Sequence, residues 1–409
     1  MTPGKLGAVV LIFLGVSIGW MILGGGTTLR TQQASSELGD AVTGLWGTSQ
    51  VQSAPTVSYL VKGQETYYDS RAKKVLTRET SQWVPLQLAS GQVKADFRLD
   101  YRRKGLLWFS TYLVGFQAHY TAANPTDQPA VMRVHFPFPA QKGVYDSFLF
   151  TVNGGDFAAA ASPAGRTAQL PVAPRAPLDI RVGYKTRGLS HWLYRFGDEV
   201  TNVRNFTCTA ITDFANVDFM PDTLSPSTKR QLAGGWELQW RFKSLVSGAA
   251  IGLRMPERLN PGPIASRISF FAPVSLLFFF TVLLTVGMAR GVYLHPMHYF
   301  LLGAAFFAFH LLFAYLADHL DINLSFLISA LVSMALVISY LRLVVNWRFA
   351  LRTAAPAQLV FLVLFSYAFF YQGYTGLTIT IGAVLTLALL MHITAHVKWD
   401  EVFVARPAQ

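Results

Sequence analysis

The sequence predicts an integral membrane protein: six transmembrane α-helices plus a β-rich domain, sandwich-like and antiparallel, set between the first helix and the other five. Three observations predict it. Five long apolar stretches fall within the 127 residues 268–394, and none contains an Asp, Glu, Lys or Arg. The charges between those stretches alternate in sign from loop to loop. Residues 27–267, by contrast, show period-two alternation and closely spaced turn signals instead of helical periodicity.

The first apolar segment, residues 6–26, approaches the roughly 20 residues that cross a hydrocarbon core of about 30 Å. It is longer than the roughly 7–15 residues of a signal-peptide core, and Leu23-Gly24-Gly25-Gly26-Thr27 is a poor cleavage site, so it reads as an uncleaved anchor. Gly15 and Gly19 form a Gly-x-x-x-Gly pair that would let two helices approach closely. Residues 32–46 follow as a short helix.

The β region comes next. Val93, Ala95, Phe97, Leu99 and Tyr101 alternate with Lys94, Asp96, Arg98 and Asp100, so one face of this strand is buried. Residues 107–120, 130–136, 147–152, 178–184, 201–213 and 236–242 are further β-branched or aromatic runs. Asn124-Pro125 and Asn153-Gly154-Gly155 mark turns, and 162–177, with four prolines, reads as a loop or irregular edge. Seven or more strands of this kind suit two packed layers.

The remaining spans are 268–289, 299–317, 324–341, 356–373 and 377–394. Arg290 follows the second span, Arg342, Arg348 and Arg352 lie between the fourth and fifth, and Lys398 and Arg406 follow the sixth. The opposite short loops, 317–321 and 372–376, contain no Lys or Arg. Positive residues near span ends are retained in the cytoplasm. Both termini are therefore expected inside, with 27–267 outside. The divisions are 1–26 (N-terminus and anchor), 27–267 (external β-rich domain), 268–396 (five-helix block) and 397–409 (cytoplasmic tail).

The external region holds 27 Lys and Arg against 18 Asp and Glu, which is +9 of the chain's +12. Besides the lipid bilayer itself, this points to anionic lipid, an acidic envelope polymer or other envelope proteins as partners, and the compartment disfavours nucleic acid. Cys208 is the single cysteine, so no internal disulfide forms.

Catalytic motifs are absent: there is no Gly-x-Ser-x-Gly, His-Glu-x-x-His, Walker-type loop or Cys-x-x-Cys. No catalytic residue, cofactor or metal is therefore assigned. His392 and His396, at i,i+4 on one helix, have metal-ligand spacing with Asp400 or Glu401 as further donors, but interfacial histidines are the plainer reading. His310 lies mid-span, where an ionisable group is a functional candidate by default; a neutral imidazole bonded to a neighbouring helix is the plainer reading. Ser325, Ser329 and Ser333 form a polar stripe suited to close helix packing or, less readily, to a hydrophilic path. Asp318 and Asp321 read as loop charges, with Asp321 or Asn323 able to cap the fourth span. Two alternatives to a binding protein follow: a transporter or ion-coupled protein using His310 and the serine stripe, and a metal-dependent membrane enzyme using His392 and His396.

Leu294-His295-Pro296-Met297-His298-Tyr299-Phe300-Leu301-Leu302-Gly303, Ala317-Asp318-His319, Leu327-Ile328-Ser329-Ala330 and Val397-Lys398-Trp399-Asp400 resemble the C-terminal membrane region of the CreD-type inner-membrane proteins. The order of one anchor helix, a long external β-rich region and a helical block is similar as well. The resemblance covers about residues 269–400. It implies an inner-membrane location with a periplasmic β domain, and a role in cell-envelope integrity and the response to β-lactams. The family has no established catalytic residues, and His295-Pro296 is a mark of the family fold.

Overall fold

The computed structural model describes residues 3–395 except 70–73, 106, 159–160, 198–199, 372 and 374. They fall into two units, Met1–Ser36 with Leu259–Gln409, and Glu37–Arg258.

The second unit contains the strands β1 (Gln50–Ser53), β2 (Thr56–Asp69), β3 (Lys74–Leu86), β4 (Ser90–Lys104), β5 (Leu107–Ala123), β6 (Ala130–Pro137), β7 (Asp146–Val152) and β8 (Gly155–Asp156). It continues with β9 (Ala161–Ser162), β10 (Gly165–Val172), β11 (Pro177–Leu189), β12 (His191–Arg195), β13 (Thr201–Thr212), β14 (Thr228–Leu232), β15 (Gly235–Ser247) and β16 (Ile251–Arg254). An eight-stranded sheet runs β14-β15-β13-β4-β5-β11-β7-β8, a five-stranded sheet β3-β2-β6-β10-β9, and a three-stranded sheet β1-β12-β16. The alternation in β4 does what period two requires: Val93, Ala95 and Phe97 are buried while Lys94 and Arg98 are exposed. The larger sheets pack face to face through aromatic side chains. Phe116 of β5 stacks on Tyr184 of β11 with centroids 4.9 Å apart and lies 6.5 Å from Phe136 of β6. Toward the three-stranded sheet, the hydroxyls of Tyr120 on β5 and Tyr194 on β12 bond at 3.0 Å, which satisfies two otherwise buried polar groups. Cys208 sits in the same core, where burial pushes its thiol up and keeps it protonated.

Three sequence expectations change here. The pairing is not wholly antiparallel, since β1 runs parallel to β12 and β13 parallel to β4. Residues 162–177 are not a simple loop: β10 pairs with β6 over eight residues despite Pro171, because β10 lies next to the sheet edge and its outer neighbour β9 covers only two of its residues. The β2–β3 hairpin, paired over thirteen residues, was hidden by its Gln, Glu, Thr and Lys content; only Thr56–Tyr59 of β2 also pairs with β6. The turn signals hold. Asn124 donates to the carbonyls of Gln128, Val172 and Ala173, and Asn153 and Gly154 take the positive φ of a tight hairpin turn between β7 and β8.

The first unit is helical. Its helices are α1 (Pro3–Trp46, whose last residues belong to the β unit), α2 (Pro261–Ala289), α3 (Pro296–Leu316), α4 (Ile322–Val344), α5 (Trp347–Phe370) and α6 (Thr375–Thr394). Five of them, α1 to α5, have the length and apolar composition of membrane crossings; α6 counts over its described part, Gly376–Leu389, as a shorter apolar helix. Large apolar side chains cover their outsides, with Leu11 and Ile22 of α1 each 71% exposed. Such a surface suits hydrocarbon and would be costly in water.

The helix ends are sorted into two groups. Lys5 and Ala8 of α1 lie beside His295 and Met297, Arg290 donates to Thr353 of α5 at 2.9 Å, and His298 bonds Tyr340 of α4 at 2.6 Å. At the other ends Arg30 of α1 pairs with Asp318 after α3 at 2.9 Å, and Thr28 bonds Ser266 of α2 at 2.6 Å. Successive helices therefore run up and down, with α1 parallel to α3.

The helix that carries the first span does not end at residue 26. α1 continues through Gly24-Gly25-Gly26 to Trp46, and within it Thr27 and Thr31 donate their hydroxyls to carbonyls four residues back, which satisfies both hydroxyls. The separate short helix over 32–46 is simply its continuation. Close packing falls on Gly19, against Phe307, and on Gly24, against Phe270, while Gly15 faces open space. Asp318 is also no solvated loop charge: it is buried and paired with Arg30.

Candidate functional site

The polar residues singled out in the helical unit are placed as follows. Ser325, Ser329 and Ser333 are all fully buried along α4. Ser325 and Ser329 donate to their own helix, at the carbonyls of Asp321 and Ser325, and only Ser333 reaches across, donating to Ala305 of α3 at 2.7 Å. Gln358 of α5, which the sequence did not single out, donates to Ser333 at 2.9 Å, and among the described residues its own carbonyl oxygen has no hydrogen-bond partner. Around it α5 widens into two π-helical stretches, Ala350–Ala354 and Leu359–Leu364, on either side of Pro356, whose ring and missing N–H disturb the regular ladder. A freed carbonyl there, Phe361, accepts from Ser275 of α2.

His310 faces a different neighbour. Its Nδ1 lies 2.9 Å from the Phe306 carbonyl, so that nitrogen carries the proton and the buried Nε2 is a bare acceptor. The ring meets Trp20 of α1 edge-on at 5.4 Å. Among the described residues no hydrogen bond joins His310 to the serine stripe. What this arrangement does chemically is hold helices together, through bonds that are costly to lose where no water replaces them.

His295 caps α3, its Nδ1 accepting from the Met297 amide at 3.3 Å, and Pro296 takes the first helical position, where a missing N–H is harmless. Asp321 caps α4 by accepting from Asn323 and Leu324. His392 is exposed in the last turn of α6. His396 lies outside the described residues, as do Asp400 and Glu401. Among the described residues no three His, Cys, Asp or Glu side chains converge as a metal site.

A concave site lies on the outer face of the eight-stranded sheet, a groove of about 1070 Å³. Cross-strand register builds it row by row. Lys94, Gln117, Gly183 and Leu149 lie side by side on β4, β5, β11 and β7, and Asp96, Gly115, Lys185 and Asp146 form the next row. Gly115 and Gly183 thus lie on neighbouring central strands and lower the floor between charged walls. The β7–β11 register shifts between Gly183 and Lys185, and the extra residue Ser147 takes φ 52° and lines the groove. Bulges of this kind bend a strand and re-aim its side chains, often beside functional sites.

The walls are cationic. Lys94 pairs with Asp96 at 3.3 Å and Arg181 with Asp179 at 3.0 Å, but among the described residues Arg98 and Lys185 have no ion-pair partner. Asp179 also bonds His119. Burial works to raise the Asp179 carboxyl; the His119 hydrogen bond and then Arg181 outweigh it and hold the group below the ordinary carboxylate value. Sequence reading found the β4 charges as an exposed face but not the groove, because the two glycines meet only through strand register.

The family model described as inner membrane protein CreD matches residues 228–400. The chain carries a CreD-family region. That region begins at β14, takes in β15 and β16 and runs through the helices from α2 onward, so it reaches about forty residues further upstream than the motifs around α3 and α4 suggested. Comparison with curated proteins gave no match. A crystal structure from Legionella pneumophila, provisionally described as a nutrient-binding protein, is similar at 11% identity with a TM-score of 0.34, covering 57% of this chain and 76% of that one. Likeness at that level carries no argument about this chain. The CreD match over this region goes together with five helices long and apolar enough to cross a membrane and a large β-rich unit.

Proposed function

We propose that this CreD-type protein crosses the inner membrane six times, with both termini in the cytoplasm, and presents its β-rich unit to the periplasm, where it acts in envelope maintenance by binding or scaffolding. The sorting of helix ends supports the orientation. Lys5, Arg290, Arg342 and Arg348 fall at one set of ends, while Asp318, Asp321 and the start of α2 fall at the other. Cytoplasmic retention of positive residues assigns the first set to the inside.

The groove carries the binding reading. It offers fixed positive charge and amide and hydroxyl donors on a rigid sheet, the composition of a recognition surface. The transport alternative loses support, because His310 faces α1 and the serine stripe reaches α3 and α5 through Ser333. A photo-crosslinking residue at Gln117, in the groove, tests the reading in intact envelopes against the same group at Lys229 on β14. An adduct with an envelope component is expected from position 117 and not from 229. Silence at 117 would count against a binding role.

A further inference from the structure

The geometry points to a specific occupant for the groove, an extended anionic glycan strand bearing carboxylates, and we propose it as this unit's ligand class. The inference rests on the binding reading above and deepens it. Gly115 and Gly183 occupy mid-strand positions where glycine weakens a sheet, and neither has the left-handed backbone that would require it. A Cβ added at Gly115 would meet nothing within 4 Å, so fold packing does not explain the glycine either. What its absence provides is room for something to lie against the backbone.

The dimensions fit a single chain. Two neighbouring strands give a floor about 10 Å across, and the seven residues from Gln92 to Arg98 along β4 give a length of about 20 Å. A bilayer surface cannot follow such a concave floor. Charge selects among the narrow polymers: Lys94, Arg98, Arg181 and Lys185 outnumber Asp96, Asp146 and Asp179 at and beside the groove, and among the described residues Arg98 and Lys185 make no ion pair. Gln117 stands between the cations of β4 and β11, and Gln92, Thr207 and Thr209 flank Lys94, neutral groups that hydrogen-bond hydroxyls. Cations with amide and hydroxyl groups beside them match a strand that carries both carboxylates and sugar hydroxyls. An acidic peptide would meet the same cations, so poly-glutamate is the competing ligand that separates the two classes.

The full chain, held in phosphatidylcholine nanodiscs, is titrated with oligogalacturonate, a neutral malto-oligosaccharide, poly-glutamate and phosphatidylglycerol vesicles. Oligogalacturonate is expected to bind more tightly than the other three and to weaken as salt rises. The R98Q/K185Q variant should bind it at least tenfold more weakly. Gly115→Val should do the same while keeping the parent's β-type circular dichroism and thermal midpoint, because the new side chain enters open space and favours a strand. Should Gly115→Val misfold, the charge variant alone decides. Equal or tighter binding of poly-glutamate or of the anionic vesicles would overturn the glycan assignment. Undiminished binding by both variants, or no binding of oligogalacturonate, would overturn the groove. These failures are separate from silence of the crosslinker at Gln117, which would remove the binding role itself.

Discussion

At the scale of single residues, two histidines of the β unit make stability depend on pH. His135 lies 2.9 Å from the Thr167 hydroxyl and His191 3.3 Å from the Ser49 hydroxyl. Burial first, then nearby Arg133 and Arg254 respectively, lowers both from the ordinary value of 6.5. As pH falls through 6.5 the unfolded chain therefore takes up protons before the folded one. Their stabilisation is whole above that pH and is lost on acidification toward the folded values. Asp179 acts in the same direction lower down, since its depressed carboxyl stabilises above 3.8 and ceases to as pH falls through its folded value. The thermal midpoint of the β signal should drop between pH 7 and 5, and less steeply in H135Q/H191Q; equal slopes would refute the assignment. In the helical unit Arg30 pairs with Asp318, donates to the Ala314 carbonyl at 3.3 Å and lies 5.1 Å over the Tyr315 ring. Arg30→Met should cost about 1.5–3 kcal/mol, the scale of a hydrogen bond to a charged group, read as lower thermal stability in detergent. Asp318→Asn in the Arg30→Met background should restore part of it by removing the buried charge left behind.

At the scale of elements, the contact between α1 and α2 turns on one glycine. The Phe270 ring stands 3.1 Å from where a Gly24 Cβ would be, whereas a Cβ at Gly15 meets nothing within 4 Å. Gly24→Leu should wedge the helices apart and destabilise by about 1–3 kcal/mol, while Gly15→Leu should leave the detergent-solubilised protein unchanged. Equal effects at both sites would mean that the Gly-x-x-x-Gly spacing governs packing after all. Such differences mark what the sequence can show. Spacing identified Gly15 and Gly19, but which face of α1 meets a partner depends on Phe307 and Phe270, more than 240 residues away. Apolar length located the spans and period two located β4, since both are local patterns. The β2–β3 ribbon escaped because its residues are too polar to mark a strand, and Asp318 because burial of a loop carboxylate depends on the distant Arg30. The caps at His295 and Asp321 lie within three residues of their targets, and the Asp321 cap was legible in the sequence for that reason.

At the scale of the whole molecule, the chain joins a helical unit that suits hydrocarbon to a β unit that does not. The β unit's outer sheet face bears Lys94, Arg98, Arg181 and Lys185, and it enters the helical unit's sequence between α1 and α2. A region with that charge is disfavoured in a bilayer core, and the proposed topology expects it wholly on one side. The side follows from the helix ends. If Lys5, Arg290, Arg342 and Arg348 are cytoplasmic, the parallel course of α1 and α3 puts the chain after Arg30 and the loop with Asp318 and Asp321 on the opposite side together. Reporter fusions after Asp213 and after Asp321 should then be active only when exported, and fusions after Arg348 only when cytoplasmic. The Arg30–Asp318 pair makes the first two results interdependent, because both residues must emerge on one face to meet at 2.9 Å. Opposite outcomes at Asp213 and Asp321 would contradict the pairing of α1 with α3, whereas a cytoplasmic signal from both would leave the fold standing and reverse its orientation.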